Sequence, residues 1–141
     1  INLSRDTDTR FLLREKLAVD EWIKSDKIFH IMRDHPHHNF CILGGMFGVK
    51  KNNIIKSWKN LIDINITQNT NRDYDQTFLK HIIYPKILDY CFVHSSFHVY
   101  KNEYYKPFPI SYCDKFLHVG GYVYHDDSIS IDHINSLKKI L

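Results

Sequence analysis

No two cysteines in this chain are spaced as CxxC, and the three present, Cys41, Cys91 and Cys113, stand far apart. That excludes a zinc ribbon and a disulfide framework and makes a reducing, cytoplasmic setting the expectation. No apolar run approaches the ~18–20 residues of a membrane span, and none has the layout of a signal peptide. A strong excess of one charge is missing too: 19 Lys and Arg against 16 Asp and Glu leave a net charge of +3. The basic residues are scattered, whereas a nucleic-acid footprint needs them clustered on one face, so nucleic acid is not an expected partner. Internal repeats and low-complexity tracts are absent. Glycine is scarce, and three of the five glycines fall in one segment, CILGGMFGVK.

What is present fits one globular domain. The 141 residues are 43% hydrophobic and 14% aromatic, enough for a single core. Ile1-Asn2-Leu3 opens as if already inside a strand, and the chain reads as a piece of a longer protein. Apolar residues at helical spacing predict a helix over Phe11–Lys24. Strands are expected over Lys27–Met32, Cys41–Lys50, Cys91–Val93 and Leu117–Tyr124, the last broken at Gly120-Gly121. Further helices are expected over Asn53–Ile62, Tyr74–Leu88 (kinked or ended by Pro85) and Ile131–Leu141. Asp34–Asn39, Gln68–Asp73 and Lys101–Cys113 read as turns or loops. The class is α/β or α+β, with a mixed sheet and flanking helices.

The stretch SRDTDTR, Ser4 to Arg10, sets two aspartates one residue apart between two arginines. Carboxylates at i and i+2 at a strand end can converge on one hard cation, since Mg²⁺ and Mn²⁺ take oxygen ligands and share their shell with waters and phosphates. Arg5 and Arg10 could ion-pair with the aspartates or meet phosphate. A charged surface turn is the plain alternative. An EF-hand loop and a haloacid-dehalogenase phosphatase motif both fail at Arg10.

Histidines crowd DHPHHN. A zinc site would need imidazoles that converge, which His30, His35, His37 and His38 do not guarantee from spacing alone. Trp22 and Trp58 read as core, and the tyrosines between Tyr100 and Tyr112 as packing or a sugar-stacking face. GGMFG lacks both the P-loop and the GxGxxG pattern.

The ordered words RDTDTRFLLREKLAVDEWIKSDKIFHIMRDHP, ILGGMFGVK, YDQTFL and FVHSSF resemble the metal-dependent nucleotide-sugar glycosyltransferases of the GT-A fold, from Arg5 to about Phe108. The resemblance implies the metal- and acceptor-binding half of such an enzyme, without the N-terminal half that grips the nucleotide. By the same resemblance Asp6 and Asp8 hold Mn²⁺ or Mg²⁺ against the donor diphosphate, and His94, or else His98, is the third ligand. Arg5, Arg10, Gly44 and Gly45 lie along the donor. Asp75 and Gln76 stand beside the donor sugar, and Asp34 is a second possible base. The expected partners are a nucleotide-sugar donor and a glycan, lipid-linked or protein acceptor. A binding module that has lost turnover and a phosphohydrolase using the same aspartates are the rival expectations.

Overall fold

The computed structural model describes residues 1–65 and 74–141. The expected loop Gln68–Asp73 lies outside them. Five strands, β1 (Asn2–Arg5), β2 (Phe29–Arg33), β3 (Met46–Val49), β4 (Cys91–Ser95) and β5 (Tyr105–Lys106), form one mixed sheet in the order β1-β3-β2-β4-β5. β3 runs antiparallel to both β1 and β2, while β2–β4 and β4–β5 are parallel. The class is therefore α/β with a mixed sheet.

β2 is central and buried along its whole length, so its alternation divides the core in two. Phe29 and Ile31 join Cys91 and Val93 on one face, under Leu79, Ile83 and Ile87. Met32 and Phe92 face the other way, against Ala18, Val19 and Trp22 of α1 (Leu13–Lys24). Helices thus cover both faces, which explains why β2 is buried on both sides, with His30 and Arg33 as well as its apolar residues enclosed. Lys50 fixes α1 against the sheet: its ammonium donates to the carbonyls of Trp22, Ile23 and Ser25 at 3.0, 3.1 and 2.7 Å. A cation there satisfies orphan carbonyls and opposes the negative end of the helix dipole. Gly48 lets this packing close, because a Cβ would lie 2.8 Å from Leu3 and 2.9 Å from Trp22.

Several elements differ from expectation. α2 runs over Trp58–Asn65, five residues later than the predicted start. The stretch from Tyr74 stays helical through Pro85: α3 (Tyr74–Phe78) passes into a π-helical turn at Leu79–Ile83, then α4 (Tyr84–Ile87) and a 3₁₀ turn at Leu88–Tyr90. Pro85 has no N–H to give and its ring crowds the carbonyl four residues back; the widened turn just before it absorbs both effects. Only Met46–Val49 of the glycine segment is strand. The strand expected over Leu117–Tyr124 does not form, and the region makes only isolated bridges, Thr9 with Tyr122 and Val123 with Ile129. Gly120 is the reason: at φ +75° it leaves extended geometry, and a Cβ there would overlap the Met46 sulfur. α5 (Ile131–Lys138) starts at Ser130, whose hydroxyl accepts the His133 N–H. Among the described residues no helix is long and apolar enough to cross a membrane.

Candidate functional site

The turn after β1 answers what SRDTDTR does locally. Arg5 donates to Glu15 of α1, to the Thr9 hydroxyl at 2.8 Å and to the Arg10 carbonyl at 3.3 Å, and it lies over the Phe11 ring. Arg10 pairs with Asp127. Both arginines thus make their hydrogen bonds and ion pairs with groups other than the Asp6 and Asp8 carboxylates. Neither Asp6 nor Asp8 forms an ion pair among the described residues; burial lowers the Arg5 pKa, and the nearby Asp6 carboxylate opposes that shift.

Asp6 opens on a cleft of about 310 Å³ lined also by His38, Leu43, Gly44, Gly45, Met46, Asp75, Gln76 and Gly120. Sequence positions 6, 44–45 and 75–76 therefore meet in one place. The glycines make that meeting possible. A Cβ on Gly45 would collide with the Asp6 carboxylate, and one on Gly44 would lie 3.2 Å from Gln76 Nε2 and 3.5 Å from Asp75 Oδ2. The Ser4 hydroxyl donates to the Gly44 carbonyl at 2.5 Å and ties the end of β1 to the glycine turn. Asp75 Oδ1 accepts the Gln76 N–H at 2.8 Å. Gln76 Oε1 is buried without a hydrogen-bond partner among the described residues. A bare buried amide oxygen is costly, and it is suited to accept a hydrogen bond from a hydroxyl entering the cleft.

Six other residues singled out from sequence lie elsewhere. Asp8 is exposed, and its carbonyl, not its carboxylate, does visible work by accepting the Val123 N–H at 2.9 Å. Arg5 and Arg10 do not line the cleft. His94 is a correction to the expected ligand set Asp6, Asp8 and His94. It belongs to β4, three strand spacings from β1, on the order of 14 Å across the sheet. Its ring is fully buried, with Nδ1 2.8 Å from His30 Nε2 and Nε2 3.4 Å from Glu21. Burial lowers its pKa to about 4, with Glu21 opposing the shift. The alternative, His98, donates from Nε2 to the Pro36 carbonyl at 2.6 Å, also away from Asp6.

Asp34 is the second correction. Its side chain is fully buried at the C-terminal end of β2. It receives a bidentate pair from Arg14, both bonds 2.9 Å, and further bonds from the Ser96 hydroxyl at 2.6 Å, the Tyr112 hydroxyl at 2.8 Å and the Val119 N–H at 2.9 Å. Arg14 itself lies 4.6 Å from the Phe108 ring centroid and 4.1 Å from that of Tyr112. A carboxylate with five donors and no solvent path is an anchor between β2, α1 and the C-terminal loops, not a base awaiting a proton.

Among the described residues one group of three potential metal ligands converges, and it contains none of the expected ligands: His35, His118 and His133. His35 belongs to the turn flagged by HPHH. His118 and His133 were missed, because nothing in their local spacing ties them to that turn 80 to 100 residues earlier. The available signal was compositional: ten histidines in 141 residues, one set in the apolar run FLHVGG. In comparisons with known proteins, the chain matches no family model, no curated protein and no solved structure.

Proposed function

We propose that the cleft between Asp6, Gly44-Gly45 and Asp75-Gln76 is the donor site of a metal-dependent glycosyltransferase. Its substrates are a nucleotide-sugar donor and a glycan, lipid-linked or protein acceptor. The observation that carries this reading is the convergence of three short motifs, separated by up to 70 positions, on one open acidic cleft. Asp6 and Asp75 supply hard oxygen donors, and the glycine floor leaves room for the waters and phosphate oxygens that Mg²⁺ or Mn²⁺ keeps around itself. A bound ion of that type supplies Lewis-acid stabilisation of the charge that grows on a departing diphosphate. The chain's own residues do the rest. Asp6 is held at the cleft by Thr9, whose hydroxyl donates to the Asp6 carbonyl at 2.9 Å. Gln76 accepts a sugar hydroxyl on Oε1 and so orients the ring. With Asp75 engaged by the ion, the acceptor hydroxyl bonds to the anomeric carbon as the bond to the diphosphate breaks, and its proton passes to the departing diphosphate oxygen.

The test uses the full-length protein with UDP-, GDP- and dTDP-sugars and Mn²⁺, following nucleoside diphosphate release. Release from one donor that is lost with EDTA and with Asp6→Asn supports the reading. Absence of release from every donor, with the cleft able to bind a free glycan, moves the protein to a second reading, a sugar-binding module without turnover. The outward-facing Asp8 carboxylate and the distant His94 favour that second reading, since they leave the cleft with fewer protein ligands than the motif implied.

A further inference from the structure

We propose that His118, His133 and His35 bind one borderline divalent transition metal, of the zinc(II) type, at a site distinct from the acidic cleft. Their nearest ring nitrogens all lie within 4.8 Å of one another. They come from three separated segments: the turn after β2, the loop closed by Gly120-Gly121, and the first turn of α5.

The side chains carry the case. His118 is 4% exposed, and among the described residues its buried ring nitrogens meet only a weak backbone acceptor at Phe116; His133 Nδ1 is buried with no partner among them. Folded proteins rarely leave such groups under-satisfied, and two rings of one cluster in that state call for a common partner. His35 is already arranged as a ligand would be. Its Nε2 donates to the His133 carbonyl at 3.0 Å, the outer bond that fixes the tautomer and aim of a ligating imidazole. That leaves Nδ1 with the lone pair, now accepting the His37 N–H at 3.1 Å, a bond it would exchange for the ion.

Ring centroids of His118 and His133 lie 4.4 and 4.8 Å from that of His35. A tetrahedral site with bonds of ~2.0–2.1 Å needs ligand nitrogens roughly 3.3 Å apart, so side-chain shifts of about 1 Å close it. An all-imidazole set selects zinc, copper, nickel or cobalt over magnesium, calcium or manganese. A pocket of about 220 Å³ reaches His118 past Leu117 and Gly121, with the Arg10–Asp127 pair in its wall, and gives an ion a way in. An ion there would staple α5 to the turn after β2. The inference does not depend on the glycosyltransferase reading.

The experiment is titration of the chelator-stripped full-length protein with Co²⁺ as an optical probe, then Zn²⁺ as competitor. One equivalent of Co²⁺ should bind with the visible spectrum of a four-coordinate site of three imidazole nitrogens and a water, and be displaced by Zn²⁺. His118→Asn and His133→Asn should each weaken binding at least tenfold, while Asp6→Asn and the exposed His125→Ala leave it unchanged. Uptake without that spectrum, or uptake that survives His118→Asn and disappears in Asp6→Asn, overturns the proposal. Should a histidine variant fail to fold, wild-type imidazole proton resonances decide instead. Shifts on Zn²⁺ addition at His35, His118 and His133 support the site, and their absence there refutes it.

Discussion

Lowering the pH from 7 to 5 should destabilise this protein well before its carboxylates titrate. His94 and His118 are 0% and 4% exposed. Burial is the main cause that holds both neutral, lowering His94 to about 4 and His118 to about 3. Glu21 works against the shift at His94, and His35 and His133 add to it at His118. In the unfolded chain each returns to about 6.5. A depressed folded-state pKa means that the unfolded chain binds more protons. Stability is therefore full above about 6.5, declines as the pH falls below it, and is lost completely only near the folded values. Each group costs ~1.4 kcal/mol per pH unit in that window, so at pH 5 each costs ~2 and the two together ~4 kcal/mol. Against a typical stability of roughly 5–15 kcal/mol that is a large fraction. His30 and His38 are displaced in the same direction and add to the loss. The assay is urea unfolding at pH 7, 6 and 5 in the presence of chelator, read by the fluorescence of buried Trp22. A midpoint unchanged between pH 7 and pH 5 would refute the claim that these rings are held neutral by burial.

Three substitutions probe the site and its support. Gly45→Ala should displace the Asp6 carboxylate from the cleft, cutting donor turnover at least tenfold while shifting stability by no more than ~1 kcal/mol, since Asp6 is exposed and free to move. Equal turnover in wild type and variant, from steady-state kinetics, would count against the cleft. Asp34→Ala should cost ~3–5 kcal/mol in urea unfolding, because it strands the buried Arg14 guanidinium; a variant of normal stability that loses only rate would restore Asp34 as a base. Gly120→Ala should destabilise by at least ~1 kcal/mol through its positive φ, with overlap on Met46 adding to that, as read from the unfolding midpoint.

The parts of this molecule legible in sequence are those set by local pattern. α1 follows from the helical spacing of Leu13, Leu17 and Val19 to Ile23, although Leu13 itself is exposed, and β2 from the alternation in KIFHIM. The three motifs that line the cleft were put together by a family resemblance, not by any spacing or residue type that ties them to one another. Their meeting depends on the antiparallel pairing of β1 with β3, which no local pattern encodes. The errors have the same origin. Asp34 looks catalytic in RDHP until Arg14, Tyr112 and Val119 close around it, and those contacts span 20 to 85 positions. His94 looks like a ligand until the strand order sets it three strands from Asp6. Leu117–Tyr124 alternates like a strand, yet Gly120 turns it toward Met46.

The central claim is that Asp6 and Asp75 hold a hard divalent ion together with a diphosphate. Electron paramagnetic resonance of Mn²⁺ tests it most directly, by measuring free ion during titration of the full-length protein with and without nucleoside diphosphate. The account predicts tight uptake only when nucleotide is present. Asp6→Asn or Asp75→Asn should weaken that uptake at least tenfold, and His118→Asn should leave it unchanged. Uptake equal in wild type and Asp6→Asn would contradict it.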